Sequence, residues 1–530
     1  MNNLQNKMLT MLKEIDDICS KHGIKYCLFA GSALGAERHG GFIPWDDDAD
    51  IAMTLENYEK FLKVFDAEAK EGRKLNCLEN DTNYPFTYAR YVDTTTTAIQ
   101  RHTAFGGCDP GIKVDIFIFV PTHKDSVKAE KHRLEILAFS EAVCKYALMH
   151  QYRPIGYDEV YKLEKKLYDK WGRKKYIKKR MTQLKKQTKK NSGRYVMFSG
   201  MACDSYIIDA DILDETYYVK YESTKLPISK KNVQFSKELY GESWISKPQN
   251  VETPRHVYML DMNKSYHDYI NTLWQNYDFK TAEATAVKRR ELHLIERDVF
   301  KDVKINNQKL RNLAVEMDVK KAFQKLPLEL RNDWRIVYQI FDKYYEAQLK
   351  ANNKKYHLII ELDEEVFAAA INAAIMMDRY YEAADIMKIA ENAGEKDRLE
   401  SKLMYRVGVC RDITETLFVE KDLEKLQNVL DSIVDEMVKN SLTVKLAKLW
   451  LEVATGMNEL GSICNTVDKY LQEYGEVGEL LSVKGYCLEA AGHIEEATTV
   501  YEKAAYNVRN GYMYQWLADK GYSTYEYQYE

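Results

Sequence analysis

Four aspartates occupy five consecutive positions in the stretch FIPWDDDADI, which runs from Phe42 to Ile51. Aspartate is depleted in strand interiors, and carboxylates this close together repel one another. Because side chains alternate along a strand, Asp48 and Asp50 are predicted to share one face, while Ala49 and Ile51 point into a core. Two neighbouring carboxylates favour a bridging hard divalent cation such as Mg²⁺ or Mn²⁺, which prefers oxygen ligands.

A third carboxylate, Asp115, lies in the stretch GIKVDIFIF between Val114 and Ile116. An ionised aspartate in so apolar a strand needs a partner or a metal ion. We therefore predict a metal site that combines Asp115 with Asp48 and Asp50. The alternative is an acidic surface turn. An EF-hand is excluded because its glycine and distal glutamate spacings are absent.

The stretch GSALGAERHG offers groups suited to a phosphate. Gly31 permits close approach of the backbone to a ligand, Ser32 adds a hydroxyl, and a helix that begins here would favour an anion. Arg38 and His39 supply further donors. The stretch is neither a P-loop nor a dinucleotide fingerprint, because the lysine and glycine spacings of those motifs are missing. Taken alone, Gly-Ser predicts only a turn.

The elements that must position these residues alternate between helix and strand. Apolar spacing predicts helices over 4–20 and 56–71. Apolar runs predict strands over 24–30, 48–53 and 113–120, the last ended by Pro121. A mixed α/β domain follows from this alternation.

The segment from 162 to 190 contains fourteen Lys or Arg residues against Glu164 and Asp169. Its apolar spacing predicts a basic amphipathic helix, interrupted near Gly172. One interpretation is a solvated helical face. The other is contact with an anionic membrane or a polyanionic glycan, since each basic side chain near such a surface adds about 1 kcal/mol.

Beyond about residue 275 the sequence is almost entirely helical in pattern. The stretch GYCLEAAGHIEEATTVYEKA has the small-residue and aromatic spacings of a tetratricopeptide (TPR)-type hairpin, and a weaker echo lies at Ala383, Met387 and Ala390. Such hairpins must stack to bury their apolar faces. We predict a TPR-like α-helical solenoid over 365–530, with generic helical packing as the alternative.

Composition excludes several classes of protein. The 530 residues have a net charge of −4, which gives no reason to expect a nucleic-acid partner. No signal peptide and no membrane-spanning apolar run is evident. The nine cysteines are scattered without a CxxC pair, so a zinc site and a disulfide framework are not indicated. We expect a cytoplasmic protein.

The stretch CLFAGSALGAERHGGFIPWDDDADIAM closely resembles the signature of LicD/fukutin-type phosphotransferases, a family within the nucleotidyltransferase-fold superfamily. GIKVDIFIF matches the later aspartate of that signature. A weaker match continues through YESTKLPI, LYGESWISKP and Arg255-His256. The resemblance implies a nucleotidyltransferase-like α/β (α+β) catalytic domain over 1–275, with the basic helical insertion at 157–190. A helical connector over 276–364 and the all-α, TPR-like region then follow.

By this resemblance, Asp48, Asp50 and Asp115 are the metal-binding and catalytic carboxylates, and Asp115 is placed to accept the proton of an attacking hydroxyl. Asp46 and Asp47 would shape the turn or orient the ligands. The residues expected to contact substrate phosphate are Gly31, Ser32, Arg38, His39 and Arg90.

The implied reaction transfers a substituted phosphate, typically phosphocholine from CDP-choline, to a hydroxyl group. The acceptor would be a surface glycan such as lipopolysaccharide or teichoic acid, or its lipid-linked precursor, with Mg²⁺ or Mn²⁺ as cofactor. The basic segment would place the enzyme at the inner face of a membrane, and the helical region would position the acceptor or a protein partner. Two alternatives stay open: a nucleotidyltransferase that attacks the α-phosphate of a nucleoside triphosphate, and a non-catalytic scaffold built on the helical repeats.

Overall fold

The computed structural model describes residues 2–100, 109–144, 157–187, 193–199, 207–246, 257–272, 281, 284–285, 288, 309–353, 362–395, 397, 399–456 and 458–522. Contacts divide the chain into two compact units. The first unit comprises Met1–Ser236 and Asn250–Val299, with the C-terminal Tyr525–Glu530. The second comprises Lys237–Gln249 and Phe300–Thr524.

The first unit is built on a mixed β-sheet, as the alternation of elements predicts. Its described strands are β1 (Cys27–Leu28), β2 (Asp50–Thr54), β3 (Arg73–Asn76), β4 (Ala89–Asp93), β6 (Ile112–Pro121), β7 (Arg194–Met197) and β8 (Ile207–Asp209). Their order is β1-β2-β6-β4-β3, and β7, which is followed by β8, pairs with the C-terminal end of β6. Strands β2 and β6 run parallel, and the other pairs are antiparallel.

Two smaller sheets complete the strands of the first unit. The strands β9 (Thr216–Tyr221) and β10 (Thr224–Ser229) form an antiparallel hairpin. The strands β5 (Thr97–Gln100) and β11 (Val257–Asp261) pair with each other, also antiparallel.

Helices accompany the strands of the first unit. The described ones are α1 (Asn3–His22), α2 (Ala30–His39), α3 (Leu55–Glu68), α4 (Ser126–Val143), α5 (Tyr157–Trp171), α6 (Arg173–Lys185), α7 (Asp211–Asp214) and α9 (Tyr266–Thr272), and α8 (Asn232–Tyr240) passes from the first unit into the second after Ser236. Helix α1 begins with a capping box from Asn2 and Gln5 and ends at Gly23 in the left-handed conformation, which satisfies the end groups of the helix. Its apolar face packs into the core shared with β2 and β6.

Two strand bounds differ from the prediction. The first strand covers only Cys27–Leu28, because α2 already begins at Ala30 and takes Gly31 and Ser32 into its first turn. Strand β2 begins at Asp50, so Asp48 lies in the loop before it. The apolar run over 113–120 does form the long central strand β6.

The basic segment forms an antiparallel hairpin of two helices, α5 and α6, with a break at Gly172 as predicted. Tyr176 donates to Glu164 (2.8 Å) across the two helices. The buried side chains of Tyr176 and Leu184 join the main core. The hairpin is therefore an integral part of the first unit, although residues 188–190 lie outside the described residues.

The second unit is helical over its described residues. A helical segment covers 309–325, and a 3₁₀ turn covers Leu328–Asn332. The helices that follow are Trp334–Asn353, Glu364–Met376, Tyr380–Asn392, Ser401–Glu415, Leu423–Ser432, Glu436–Asn440, Leu442–Thr455, Leu460–Tyr474, Gly478–Ala490, Ile494–Asn507 and Gly511–Asp519. A π-helical turn, Thr416–Glu420, follows the fourth of these helices.

The predicted hairpin motif corresponds to two of these helices, Gly478–Ala490 and Ile494–Asn507. A Cβ built at Gly485 would overlap the Tyr501 ring, so the glycine permits the close packing of the pair. The helical character of this region agrees with the prediction. Its TPR-like solenoid identity stays a prediction, as do the predicted domain bounds at 275 and 364.

A short segment earlier in the chain belongs to the helical unit. The Asp385 carboxylate accepts hydrogen bonds from the backbone N–H groups of Glu242 (2.8 Å) and Ser243 (3.0 Å). Burial raises the pKa of Asp385 to about 6, although these hydrogen bonds oppose the rise. Trp244, which is buried, meets the Tyr512 ring edge-on. We call residues 237–246 the tether, because the chain enters the helical unit here and returns to the first unit at β11.

No helix within the described ranges is both long enough and apolar enough to cross a bilayer.

The packing of the tether against Asp385 can be tested by a substitution at Gly241. Gly241 has φ +82° and ψ −177°, and a Cβ there would overlap the Asp385 carboxylate. Gly475 has nearly the same backbone angles, φ +82° and ψ −166°, but its Cβ would meet open space. Both Gly→Ala changes carry the backbone strain of about 1–3 kcal/mol. We expect Gly241→Ala to lower the free energy of unfolding by roughly a further 1–3 kcal/mol, because it displaces hydrogen bonds to a buried carboxylate.

Calorimetric unfolding of the two full-length variants measures the difference. Equal losses of melting temperature for Gly241→Ala and Gly475→Ala would show that the Asp385 contact does not hold the tether.

Candidate functional site

The site is organised by three adjacent strands of the main sheet. In the parallel pairing of β2 with β6, Asp50 lies opposite Asp115. In the antiparallel pairing of β4 with β6, Arg90 lies opposite the same Asp115. Since neighbouring strands are about 4.8 Å apart, these three side chains form one row across the sheet.

Two cations bind Asp115, one at each carboxylate oxygen. Arg90 donates from Nε to Oδ1 at 3.0 Å, and Lys113 donates from Nζ to Oδ2 at 2.7 Å. All three residues are buried. The partner that an ionised aspartate in this strand requires is therefore present in the protein itself. Lys113 was not predicted, although it lies two residues before Asp115 and so on the same face of β6.

Arg90 has further partners besides Asp115. Its second guanidinium nitrogen donates to the Tyr88 hydroxyl at 2.9 Å and to the Gln100 side chain at 3.0 Å. The guanidinium carbon lies 4.3 Å from the centroid of the Phe86 ring. The structure thus directs Arg90 to Asp115 and its surroundings, and contact with a phosphate stays a prediction.

The Asp50 side chain lies in a strongly acidic environment. Burial, and then the negative charges of Asp48 and Asp115, raise its pKa well above the usual range. Lys113 opposes that rise. Carboxylate oxygens of Asp46, Asp47 and Asp48 all lie within 4.8 Å of one another. The structure therefore brings the four aspartates of the loop and strand together. The carboxylates of Asp46 and Asp47 lie beside that of Asp48.

Gly31 and Ser32 lie in the first turn of α2, next to the aspartates. A Cβ at Gly31 would come within 2.8 Å of Asp46 Oδ2, so the close approach of this carboxylate requires glycine. The buried Ser32 hydroxyl accepts a hydrogen bond from the Asp50 backbone N–H at 2.9 Å. Ala30 adopts φ +45°, a strained conformation for a residue with a Cβ. The turn from β1 into α2 is thus fitted closely to the aspartate loop.

Arg38 and His39 lie at the other end of α2, about 10 Å along the helix axis from Gly31 and Ser32. The Arg38 guanidinium lies 5.8 Å from the Trp45 ring centroid, and the His39 ring meets Trp45 edge-on at 5.7 Å. These contacts position Trp45, which directly precedes Asp46. The structure does not place Arg38 and His39 with Gly31 and Ser32, and their predicted phosphate contacts are untested.

Residues outside the dense part of the signature also position the aspartate loop, and the sequence analysis assigned them no role. Glu222, in the two-residue turn between β9 and β10, accepts a hydrogen bond from the Phe42 N–H at 2.9 Å, and its own N–H donates to the Gly40 carbonyl at 2.7 Å. Gln5 of α1 donates to the carbonyls of Ile43 and Asp46, both at 3.2 Å. The available signal for Glu222 was the stretch YESTKLPI, which belongs to the weaker match to the signature.

The neighbouring Tyr221 packs against the aspartate loop, and its pKa reflects the negative charge there. Its ring packs edge-on against Phe42, 5.1 Å between centroids. Burial, together with the negative charge of Asp46, raises the pKa of Tyr221 well above its usual value. The hairpin β9–β10 is therefore part of the wall of the site. The weaker signature residues Arg255 and His256 lie outside the described residues.

Comparison with known proteins agrees with the resemblance. Residues 23–151 match the family model described as LicD/FKTN/FKRP, nucleotidyltransferase domain. Lipopolysaccharide cholinephosphotransferase LicD of Haemophilus influenzae is 34% identical over 142 residues, which cover 26% of this chain and 51% of that protein. Ribitol 5-phosphate transferase FKRP of Homo sapiens and of Mus musculus is 47% identical over 47 residues, 9% of this chain and 10% of each relative.

The predicted family resemblance is thus confirmed for residues 23–151. The chain spans about half the length of the LicD protein and a tenth of FKRP. The match contains every predicted site residue. Glu222, the tether and the helical unit lie beyond it.

The role of Glu222 in fixing the loop can be tested without a ligand. We expect Glu222→Ala to speed amide hydrogen exchange at Phe42 about tenfold or more, since the N–H loses a charged acceptor. Glu222→Gln keeps a carbonyl acceptor and should exchange more slowly than Glu222→Ala. Glu215→Ala, at the base of the same hairpin, is the matched control, because Glu215 pairs with exposed Lys230. Unchanged exchange over 41–50 in Glu222→Ala would remove Glu222 from this role.

Proposed function

We propose that this protein is a metal-dependent phosphotransferase. It would move a substituted phosphate, such as phosphocholine, from a CDP-linked donor to a hydroxyl of a glycan or its lipid-linked precursor. The observation that carries the proposal is the pairing of Asp50 with Asp115, beside Asp48, within the segment that matches the LicD/FKTN/FKRP model. The relatives named above transfer cholinephosphate and ribitol 5-phosphate, which supports phosphotransfer and leaves the head group open.

The donor set of the site fits a hard divalent cation. All of its anionic groups are carboxylates. Burial, and then the charges of Asp48 and Asp115, raise the pKa of Asp50, so a cation would relieve the excess negative charge. Asp48 and Asp50, with Asp115, would hold Mg²⁺ or Mn²⁺. Asp46 and Asp47 lie close enough to Asp48 to orient it or to join it. When bound, the ion would neutralise charge on the transferring phosphoryl group.

Residues of the α2 turn would bind the donor phosphates. The N-terminus of α2 has no side-chain cap, and Gly31 and Ser32 present backbone N–H groups in its first turn. An anion is favoured at such a position. The Ser32 oxygen accepts from the Asp50 backbone N–H, and its O–H would be the group that donates to a phosphate.

The Arg90 and Lys113 side chains are close to the proposed proton acceptor, Asp115. Both oxygens of Asp115 accept hydrogen bonds, one from Arg90 and one from Lys113. Each oxygen keeps a second lone pair, so Asp115 would take the proton of an attacking hydroxyl with both donors in place. Lys113 would also suit a donor phosphate, because lysine binds phosphate as a mobile point charge.

Loss of each carboxylate tests the site. We expect Asp48→Asn, Asp50→Asn and Asp115→Asn each to lower turnover by about 100-fold or more, because preorganised charge supplies most of the catalysis in phosphoryl transfer. Mg²⁺ should raise the melting temperature of the wild type and not that of Asp50→Asn. Asp17→Asn, at an exposed position of α1, is the matched control. Wild-type turnover in any of the three would exclude that residue, and full activity in EDTA would exclude the metal.

The leaving group separates phosphotransfer from nucleotidyl transfer, since both reactions use the same carboxylates. In phosphotransfer the hydroxyl attacks the phosphorus distal to the nucleoside, and CMP leaves. In nucleotidyl transfer it attacks the α-phosphorus, and pyrophosphate leaves. We expect CMP when the enzyme, Mg²⁺ and glycan acceptors are incubated with a panel of CDP-alcohols and nucleoside triphosphates. Pyrophosphate with a nucleotide-tagged acceptor, and no CMP from any donor, would favour the second reaction.

A further inference from the structure

The hairpin of α5 and α6 concentrates positive charge in a chain that is acidic overall. Between residues 157 and 187 there are twelve Lys or Arg and four Asp or Glu, whereas the whole chain has a net charge of −4. The predicted function of the aspartate site uses none of these residues. In the structure, some of these basic residues bind groups inside the fold, and the others are exposed to solvent.

The two arginines of the hairpin and one lysine are used inside the fold. Arg173 donates to the backbone carbonyls of Thr82, Tyr84 and Val143 at 2.7–3.1 Å. Arg180 pairs with Glu164, which is buried, and Lys185 pairs with Glu79. These three cations stabilise the attachment of the hairpin to the rest of the first unit.

The remaining basic residues of the described hairpin are all lysines, and all are exposed: Lys162, Lys165, Lys166, Lys170, Lys174, Lys175, Lys178, Lys179 and Lys186. We call these nine the lysine face. Asp169, which pairs with Lys165 at 2.9 Å, is the acidic residue interspersed among them. Leu163 lies in the same stretch of α5 and is 57% exposed.

We propose that the lysine face binds an anionic lipid surface. Lysine is a strongly hydrated point charge on a flexible stem, suited to diffuse attraction rather than to specific bidentate contacts. Each lysine near an anionic membrane contributes additively to the attraction within a Debye length. The proposal is independent of the function of the aspartate site, because the two regions share no residue.

The composition of the face favours a membrane over other polyanions. Nucleic-acid surfaces combine basic residues with exposed aromatic side chains for stacking, and often with arginine. Here the arginines are tied to internal partners, and Lys179 lies over the partly buried Trp171 ring, 5.0 Å from its centroid. The exposed Leu163 adds an apolar group that a lipid interface would accommodate and a soluble glycan would not.

A charge reversal on α6 tests the proposal. The variant replaces Lys174, Lys175, Lys178 and Lys179 with Glu. The matched control makes the same change at four exposed lysines of the helical unit, Lys388, Lys402, Lys448 and Lys469. Both variants change the net charge equally, so only the position of the charge differs. Full-length proteins are floated with phosphatidylcholine vesicles that contain or lack phosphatidylglycerol, at low and at physiological salt.

We expect the wild type to bind the phosphatidylglycerol vesicles and to bind more weakly as salt rises. The α6 variant should lose about 100-fold or more in partition coefficient, and the control should stay within roughly tenfold of the wild type. A neutral variant with Lys162, Lys166 and Lys170 replaced by Gln should show an intermediate loss. It keeps the test valid if the α6 variant fails to fold, as judged by its melting temperature.

Three results would overturn the proposal. The first is no binding of the wild type to anionic vesicles at low salt. The second is an equal loss in the α6 variant and the control, which would indicate net charge alone. The third is tight binding to heparin or RNA beads by the lysine face without vesicle binding, which would assign the face to a soluble polyanion.

Discussion

The parallel pairing of β2 with β6 places Asp50 opposite Asp115, and the geometry of the candidate site depends on this register. Like charges at this spacing destabilise a fold unless nearby groups compensate for them. The protein supplies part of the compensation through Arg90 and Lys113, which bind both oxygens of Asp115. Asp50 keeps an elevated pKa, which is the electrostatic reason that the site suits a cation.

The same constraint explains the tightly fitted backbone around the site. The aspartate loop is packed between the first turn of α2, where Gly31 leaves room for Asp46, and the β9–β10 turn, where Glu222 binds the Phe42 amide. The left-handed conformation of Ala30 lies in the same turn. Strain and buried charge of this kind persist only where surrounding structure enforces them, and they are typical of functional sites.

Beyond the site, the chain uses charge in two further ways. In the tether, a buried carboxylate from Asp385 binds two backbone N–H groups and fixes a segment that lies far away in the sequence. In the α5–α6 hairpin, Arg173, Arg180 and Lys185 are directed inward, and the other lysines are exposed. The fold thus separates cations that stabilise it from cations that are free to attract a surface. Because the tether returns to the first unit at β11, the two units are linked at more than one point of the chain.

The local elements and the candidate acidic residues were predictable from the sequence alone. The apolar run around Asp115 predicted β6, the helical spacing predicted α1 and the helical unit, and the signature predicted a family match that covers residues 23–151. These features depend on residue type and short-range periodicity, which a sequence displays directly. Three features became visible with the packed structure: the register that sets Asp50 and Arg90 beside Asp115, the hydrogen bond that Lys113 donates to Asp115, and the hydrogen bond that Glu222 accepts from the Phe42 N–H. Such contacts join residues that are distant along the chain, and their energies depend on burial and on partners that appear only when the strands are packed together.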